Sequence, residues 1–426
     1  MTRSLADRLA LPSIRGHGGL VAALAVDSVG TGLFMPFGVV YFLYTTTLPL
    51  TVVGACLTVA RLLAIPMSIV VGPLIDRYGA RRVLIWGNLL GASAFVGYLF
   101  ADAAWSVIVV TFVAGVGQST FWTAIRTLVG TVIEPERRTS WFALQSMTRN
   151  AGFGLGGLIG AVAIGLGSKW VYLAFAGLNA VSFVVAAILV VRWRHPDVVG
   201  TAATARQGAT NPFGGYRQLL RDRALAAVTG VNLAFVMCAN VLTVLLVVYV
   251  TTELHQPAWV GGALFTVNTI LVSTTQTVTT RAAGGLSHAT VLRLAAVLWG
   301  ASFGLMWLMA AAPGWLVIPG MFLALVVFTI AEMAQDPVLN TLLSELSPPG
   351  ATGRYMAAYQ LSWSVGGAVA PLLLTWLMSL GIAIAWLVMI AICAVAVLAV
   401  ARIPMTRAAA ADTAGSPPAG PATDQP

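Results

Sequence analysis

Long apolar runs of similar length follow one another along the chain, with only short polar segments between them. A helix needs about 20 apolar residues to cross the hydrocarbon core of a bilayer. The pattern therefore predicts twelve transmembrane helices, near residues 18–44, 50–72, 82–101, 104–130, 141–166, 170–192, 224–251, 259–280, 289–311, 314–343, 355–379 and 383–403.

A longer polar segment divides these helices into two groups of six. It contains Pro196, Pro212 and the pair Gly214-Gly215, residues that interrupt regular helices. We therefore predict a first bundle over 1–192, a linker over 193–223, a second bundle over 224–404 and a disordered cytoplasmic tail over 405–426.

Composition restricts the class of protein further. Hydrophobic residues make up 58% of the chain, charged residues make up 9%, and the mean hydropathy is +0.89, which excludes a soluble globular protein. Cys56, Cys238 and Cys393 are scattered singly through apolar runs, which argues against a disulfide framework or a cysteine-based metal site. The first apolar run is as long as a membrane span, so we expect it to remain as a helix rather than to be a cleaved signal.

The net charge of +9 could indicate a nucleic-acid partner, but the positions of the basic residues give it another meaning. Arginines are concentrated at the termini and in every second loop, and only Lys169 falls in an alternate loop. By the positive-inside rule, both termini and the even-numbered loops are cytoplasmic. The basic charge therefore predicts orientation in the cell membrane, and no nucleic-acid partner is expected.

One charged segment, running from Gly72 to Leu84, separates the second and third apolar runs. Gly72 would allow close approach of another helix, Gly79 a tight reversal, and Asp76 suits the positive N-terminal end of a neighbouring helix. Its arginines, Arg81 and Arg82, are expected among anionic headgroups. An ordinary positive turn is the alternative, but it would not explain the two glycines and the aspartate.

This segment, including Arg77, resembles the signature loop of the major facilitator superfamily, with Ala80 as the one clear departure. The resemblance implies an all-α integral membrane fold, with twelve transmembrane helices in two six-helix pseudo-symmetric bundles, and a loop that latches one conformation. A weak internal repeat agrees with two related halves. Its matching positions are Gln145 with Gln360 and Gly152 with Gly367.

Ionisable residues inside the predicted spans are costly and are functional candidates by default. Asp27 and Arg61 lie at neighbouring depths in the first two spans. They could form a structural salt bridge, or Arg61 could tune a carboxylate that exchanges protons, and the sequence leaves both open.

Glu332 is the stronger coupling candidate of the second half, because no cation lies near it in the sequence. The resemblance places it in a cavity-lining helix, where it is expected to be protonated or to bind a cationic substrate. Arg126 is expected to snorkel at the membrane edge, and Asp336 to be solvated or to cap a helix.

The fifth predicted helix resembles that of drug:proton antiporters. A small residue at Ala143 is followed by a glycine series that would allow close packing and bending between the halves. Generic small-residue packing is the alternative. The series consists of Gly152, Gly156, Gly157 and Gly160.

The arginine that the family carries in its fourth helix is absent here, because Thr111 stands at its position. Arg61 or Arg149 could take its role in proton coupling. The predicted substrate cavity is aromatic and sparsely polar, which suits lipophilic or cationic compounds better than sugars. Its candidate residues are Phe34, Tyr41, Phe112, Trp122, Asn232, Phe235 and Asn240.

These observations predict a monomeric secondary transporter, not an enzyme, that exports lipophilic or cationic compounds in exchange for protons. Its expected partners are a small-molecule substrate, protons and the lipid bilayer. No nucleotide-binding loop, metal site or cofactor site is evident. Two alternatives remain: uptake of a small metabolite such as a sugar, nucleoside or organic acid, and a non-transporting sensor on the same scaffold.

Overall fold

The computed structural model describes residues 11–14, 16–34, 38–164, 169–193 and 221–403. The predicted tail and most of the predicted linker lie outside these ranges. Within them, all regular secondary structure is helical and no strand occurs.

Helices before residue 193 form the first half of the molecule. They are α1 (Gly18–Phe34), α2 (Gly38–Thr45), α3 (Leu50–Ala64), α4 (Met67–Tyr78), α5 (Ala80–Tyr98), α6 (Ala104–Val132), α7 (Pro135–Ile164) and α8 (Lys169–Arg192).

The second half begins with α9 (Arg223–Asn240), which continues through two π-helical turns, Val241–Leu245 and Tyr249–Glu253. The helices that follow are α10 (Ala258–Ala282), α11 (His288–Leu308), α12 (Gly314–Leu346), α13 (Thr352–Ser379) and α14 (Ile382–Val400). Among the described residues, seven helices are each long and apolar enough to cross a membrane, and the pair α3–α4, bent by 41°, adds an eighth candidate.

The charged segment predicted to be a loop is helical instead. Helix α4 continues to Tyr78 and α5 begins at Ala80, so only Gly79 separates them. Gly79 has a φ of +85°, a conformation that glycine adopts without steric cost. The prediction of a loop was wrong because the charges after Gly72 lie on a helix that extends beyond the apolar run.

Equivalent helices pack together in the two halves. Helix α1 contacts α7 and α8, as α9 contacts α13 and α14, and the pair α5–α6 corresponds to the pair α11–α12. The same pairing in both halves is the pseudo-symmetry that the internal repeat indicated.

Four helices begin with an exposed tryptophan at their second position. Trp105, Trp170, Trp259 and Trp315 start α6, α8, α10 and α12, and their exposed fractions range from 61% to 78%. Tryptophan is enriched where a membrane meets water. In the predicted alternation of spans these four helices begin on the same side, so their tryptophans indicate one membrane surface, with two from each half.

The structure brings together two cysteines that are distant in the sequence. Cys238 on α9 and Cys393 on α14 are free, buried thiols whose Sγ atoms lie 3.6 Å apart. Both pack in the apolar core of the second half, where burial keeps thiols unreactive.

Candidate functional site

The two halves meet along α4, α6 and α7 of the first and α10, α12 and α13 of the second. The contact includes the end of α4 and the start of α13, which the positive-inside rule predicts to be cytoplasmic. Polar and charged side chains along this interface form the candidate site.

Asp76 connects the two halves at this end. Its Oδ1 accepts the backbone N–H of Gly353 at 2.8 Å, and its Oδ2 accepts Arg354 Nε at 2.7 Å. Both donors belong to the first turn of α13, so the carboxylate faces the positive end of that helix. The side chains of Asp76 and Arg354 are only 9% and 20% exposed, so water screens this ion pair less than a surface pair.

Two glycines allow the backbones to approach at this contact. A Cβ atom on Gly72 would lie 2.8 Å from the Cα of Arg354, and one on Gly353 would lie 2.7 Å from the carbonyl oxygen of Gly72. Any larger residue at either position would force α4 and α13 apart.

Arg81 of the same segment bonds within the first half. Arg81 donates to the carbonyl oxygens of Val190 at 3.2 Å and Val191 at 2.6 Å, so it caps the end of α8 instead of extending among headgroups as predicted. Arg77 and Arg82 are exposed.

Arg126 is buried where the halves meet, with 4% of its surface exposed. Its Nη1 donates to Gln360 Oε1 at 2.5 Å, and the guanidinium lies 5.1 Å from the ring centre of Tyr359 and 5.8 Å from that of Trp122. The prediction that Arg126 snorkels was wrong, because the second half covers this end of α6.

Asp336 is also buried, not solvated as predicted. Its Oδ1 accepts hydrogen bonds from Tyr359 Oη at 3.0 Å and Asn340 Nδ2 at 3.1 Å. Arg126 is near enough to interact with it electrostatically. Tyr359 thus contacts both a cation of the first half and an anion of the second.

Glu332 and Arg149 form the other part of this network. Glu332 Oε2 accepts Asn268 Nδ2 at 2.9 Å, while Arg149 Nη2 contacts Ser146 Oγ at 3.3 Å and lies 5.5 Å from the ring centre of Trp122. The two charges interact electrostatically across the interface without forming a salt bridge among the described residues. Cations from α6 and α7 therefore face anions from α12.

Sequence reasoning missed Asn340, Tyr359 and Gln360 as members of this network. For Asn340 the sequence did offer a signal. It follows Glu332 and Asp336 at intervals of four residues, a spacing that puts all three polar side chains on one helix face.

Asp27 and Arg61 do not pair. Asp27 is 3% exposed on α1, and its Oδ1 has no hydrogen-bond partner in the described part of the chain. Arg61 is exposed on α3. A salt bridge between them was one of the two sequence-based hypotheses, and it is not formed in this conformation.

The glycine series of α7 packs mainly against α1, within the first half. A Cβ on Gly152 would lie 3.0 Å from the backbone nitrogen of Val29, and one on Gly156 would lie 2.7 Å from that of Leu33. Gly154, which is not part of the predicted series, faces Thr269 of α10 across the interface. Close packing was predicted, but its main partner is α1 instead of the other half. Gly157 and Gly160 continue the series on the same helix.

Three residues predicted to line the cavity are packed inside the halves in this conformation. Phe34 stacks on Tyr98 with ring centres 5.3 Å apart, Tyr41 Oη donates to the carbonyl oxygen of Tyr98 at 2.9 Å, and Phe235 lies 5.1 Å from Trp299.

The other four cavity candidates have varied surroundings. Asn232 is fully buried and donates to Ser362 Oγ at 2.6 Å, whereas Asn240 donates to a carbonyl of its own helix. Phe112 is half-buried. Trp122 lies within the charged network. It is the one aromatic cavity candidate whose ring lies near both Arg126 and Arg149.

Comparison with known proteins agrees with this arrangement of two pseudo-symmetric halves. The sequence profile of the Major Facilitator Superfamily matches residues 20–285 and 237–423. The chain belongs to the Major Facilitator Superfamily. It is therefore a multi-pass membrane protein of a family that transports small molecules.

Relatives of this chain are named for different substrates. The multidrug resistance protein MdtH of Aeromonas salmonicida is 25% identical over 351 residues, which cover 81% of this chain and 84% of MdtH. A Na⁺, Li⁺, K⁺/H⁺ antiporter of Planococcus maritimus is 23% identical over 75% of this chain and 80% of its own.

The fold is shared with a bacterial homologue of the iron transporter ferroportin, solved in an outward-facing state. The two structures superpose with a TM-score of 0.76 at 15% sequence identity. The superposition covers 91% of this chain and 99% of that homologue.

Proposed function

We propose that this superfamily member exports lipophilic or cationic small molecules across the cell membrane in exchange for protons. The observation that carries the proposal is the placement of Glu332 on α12 opposite Arg149 on α7, with opposite charges on different halves and no salt bridge between them. Similarity to MdtH supports export of drug-like compounds.

In this conformation the Asp76 end is closed, and we assign it to the cytoplasm together with both termini. Opening it requires separation of α4 from α13, which breaks the ion pair of Asp76 with Arg354. The paired glycines and this ion pair would then act as the conformational latch that the sequence motif suggested, stabilising the cytoplasm-closed state.

Glu332 is the proposed proton carrier. Protonation would remove its attraction to Arg149 across the interface and so lower the free energy needed to separate the halves. In the state open to the cytoplasm, a cationic substrate would favour the ionised carboxylate and displace the proton. Competition between proton and substrate for one carboxylate links the two fluxes.

Asp27 is a second proposed proton site, because it is buried and its Oδ1 has no hydrogen-bond partner among the described residues. Arg61 is less suited to tune it, since the two do not pair. Trp122 offers an aromatic surface beside both arginines, and we propose that it contributes to the substrate site.

Transport by proteoliposomes would test the proposal. Wild type, Glu332→Gln and the exposed control Asp102→Asn are assayed for movement of ethidium, and separately of Na⁺ and K⁺, under imposed proton gradients. We expect proton-driven ethidium antiport by wild type and Asp102→Asn, and its loss in Glu332→Gln. Movement of substrate in the same direction as protons would indicate uptake, and unchanged antiport in Glu332→Gln would reject this residue as the carrier.

A further inference from the structure

Asn268 on α10 holds one oxygen of the Glu332 side chain. Its side-chain nitrogen, Nδ2, donates to Glu332 Oε2 at 2.9 Å and to Thr329 Oγ1 at 3.0 Å, and both acceptors belong to α12. Asn268 and Thr329 are buried, so these bonds are shielded from bulk water. An amide nitrogen carries two hydrogen atoms, and here each of them has one acceptor.

The hydroxyl group of Thr329 fixes the orientation of this amide. A threonine hydroxyl has one proton to donate, and that of Thr329 goes to the carbonyl oxygen of Leu325 at 2.8 Å. Its Oγ1 can therefore only accept from Asn268. If the amide turned over, its Oδ1 would face the lone pairs of Oγ1, and the bond to Leu325 would have to break before a new one formed. Nδ2 thus stays directed at Glu332.

This fixed N–H group makes the two oxygens of Glu332 unequal. A hydrogen bond to a carboxylate favours its ionised form, so an oxygen that accepts such a bond takes up a proton less readily. Oε2 accepts the bond from Asn268, whereas Oε1 forms no hydrogen bond with the described residues. The side chain is only partly buried. A proton or an ammonium group therefore meets less competition at Oε1.

The charges around Glu332 act on it without bonding to it. Arg149 acts from α7, and Asp336 acts from one turn further along α12. Arg126 of α6 acts on Asp336 in turn. Among the described residues, Asn268 is the one hydrogen-bond partner of the Glu332 carboxylate. The direction in which this carboxylate is held thus depends on Asn268.

We propose that Asn268 is a positioning residue for the proton carrier, which keeps Glu332 Oε2 occupied and leaves Oε1 as the one oxygen for which a proton and a cationic substrate compete. This inference rests on the proposed role of Glu332. With a single oxygen available, proton and substrate cannot bind together, so each must leave before the other enters. Asn268 also stabilises the ionised form that the substrate requires.

Infrared spectroscopy of the full chain in lipid tests this proposal without a transport assay. A pH titration follows the C=O band of protonated carboxyl groups, and the component that is absent in Glu332→Gln belongs to Glu332. Asn268→Leu removes a bond made to the ionised form, so the proton should be held more tightly. We expect the midpoint to move to higher pH by about one unit or more, which is about a tenfold gain in proton affinity.

Thr329→Val tests the orientation of the amide separately. Without the hydroxyl group, Asn268 can turn over and accept the proton of Glu332 through Oδ1, which stabilises the protonated form. We expect the midpoint to move to higher pH here too, although Asn268 is still present. A purely structural role for Asn268 would not produce this shift.

Gln276→Met is the matched control. Gln276 is a buried amide on the same helix, and its Nε2 also donates to α12, at 2.8 Å, but to the carbonyl oxygen of Met333 instead of a carboxylate. This variant loses a bond between the same two helices, so it reports any effect of loosening them. Its midpoint should equal that of wild type.

Unchanged midpoints in both Asn268→Leu and Thr329→Val, or an equal shift in Gln276→Met, would overturn the proposal. Proton-driven movement of ethidium is measured on the same proteins. Shifted midpoints without ethidium movement by wild type would support the role of Asn268 and reject the proposed export. Antiport by wild type with unshifted midpoints would reject the role of Asn268 alone.

Discussion

Asp76 and Arg354 lie 278 positions apart in the sequence, yet Oδ2 of the aspartate is 2.7 Å from Nε of the arginine. The same carboxylate accepts the N–H of Gly353, so it contacts both a charged side chain and the positive end of a helix. One residue of α4 thereby stabilises the contact between the two halves.

Replacing Asp76 with Asn should weaken this contact, because the charge is lost while one hydrogen-bond acceptor remains. We expect the closed state to lose about 1 kcal/mol, which is roughly a fivefold shift toward opening. A reporter cysteine at the buried position Ser344 should then react about fivefold faster with a maleimide. The exposed neighbour Arg77→Gln is the control, and equal rates in the two variants would contradict the latch.

Gly353→Ala should destabilise the protein because the added methyl group would meet the α4 backbone. Overpacking of this kind typically costs about 1–3 kcal/mol. Gly367→Ala, on the same helix, meets no atom within 4 Å and should be neutral or slightly stabilising. Thermal unfolding in detergent compares the two, and a similar melting temperature for both would argue against backbone contact.

Arg126 and Asp336 should depend on each other for stability. Arg126→Met leaves a buried carboxylate without its nearby cation and should cost about 3 kcal/mol or more. Adding Asp336→Asn should recover part of that loss, with a coupling energy of at least about 1 kcal/mol in a double-mutant cycle. Chemical unfolding measures the four proteins, with exposed Arg293→Met as a control. Strictly additive losses would show that the two side chains do not interact.

Arg81 and Arg82 offer a comparison of adjacent arginines. Arg81→Gln removes two bonds to the last turn of α8 and should cost about 1 kcal/mol, while Arg82→Gln should stay within about 0.5 kcal/mol of wild type. Hydrogen exchange of the α8 terminus should accelerate only in Arg81→Gln. Acceleration in both variants would indicate a general charge effect instead of capping.

The apolar helices could be predicted from the sequence, as could the expectation that Asp76 faces the positive end of a neighbouring helix, because each leaves a local pattern of residues. The partners of Asp76, Gly353 and Arg354, could not be predicted in this way. Bilayer thickness sets the length of apolar runs, and the motif keeps Gly72, Asp76 and Gly79 at fixed offsets. The burial of Arg126 and Asp336 could not be predicted in this way. Depth along a helix gives only distance from the membrane edge, whereas burial depends on partners contributed by another part of the chain.

The glycines of α7 show the same limit. Their spacing predicts a face that packs closely, but it does not identify which helix occupies that face. Gly152 and Gly156 meet α1, while Gly154 meets α10. Small side chains specify how near a neighbour can come, and the topology of the whole chain decides which neighbour it is.

The tryptophans at the starts of α6, α8, α10 and α12 restrict how the halves can move. Each half carries two of these anchors at the same membrane surface, and an indole ring resists transfer either into hydrocarbon or into bulk water. A vertical sliding of one half past the other would displace its pair from the headgroup layer. Tilting of the halves about that layer would keep all four rings among the headgroups. The tryptophans therefore favour a rocking motion whose axis lies at the level of the headgroup layer.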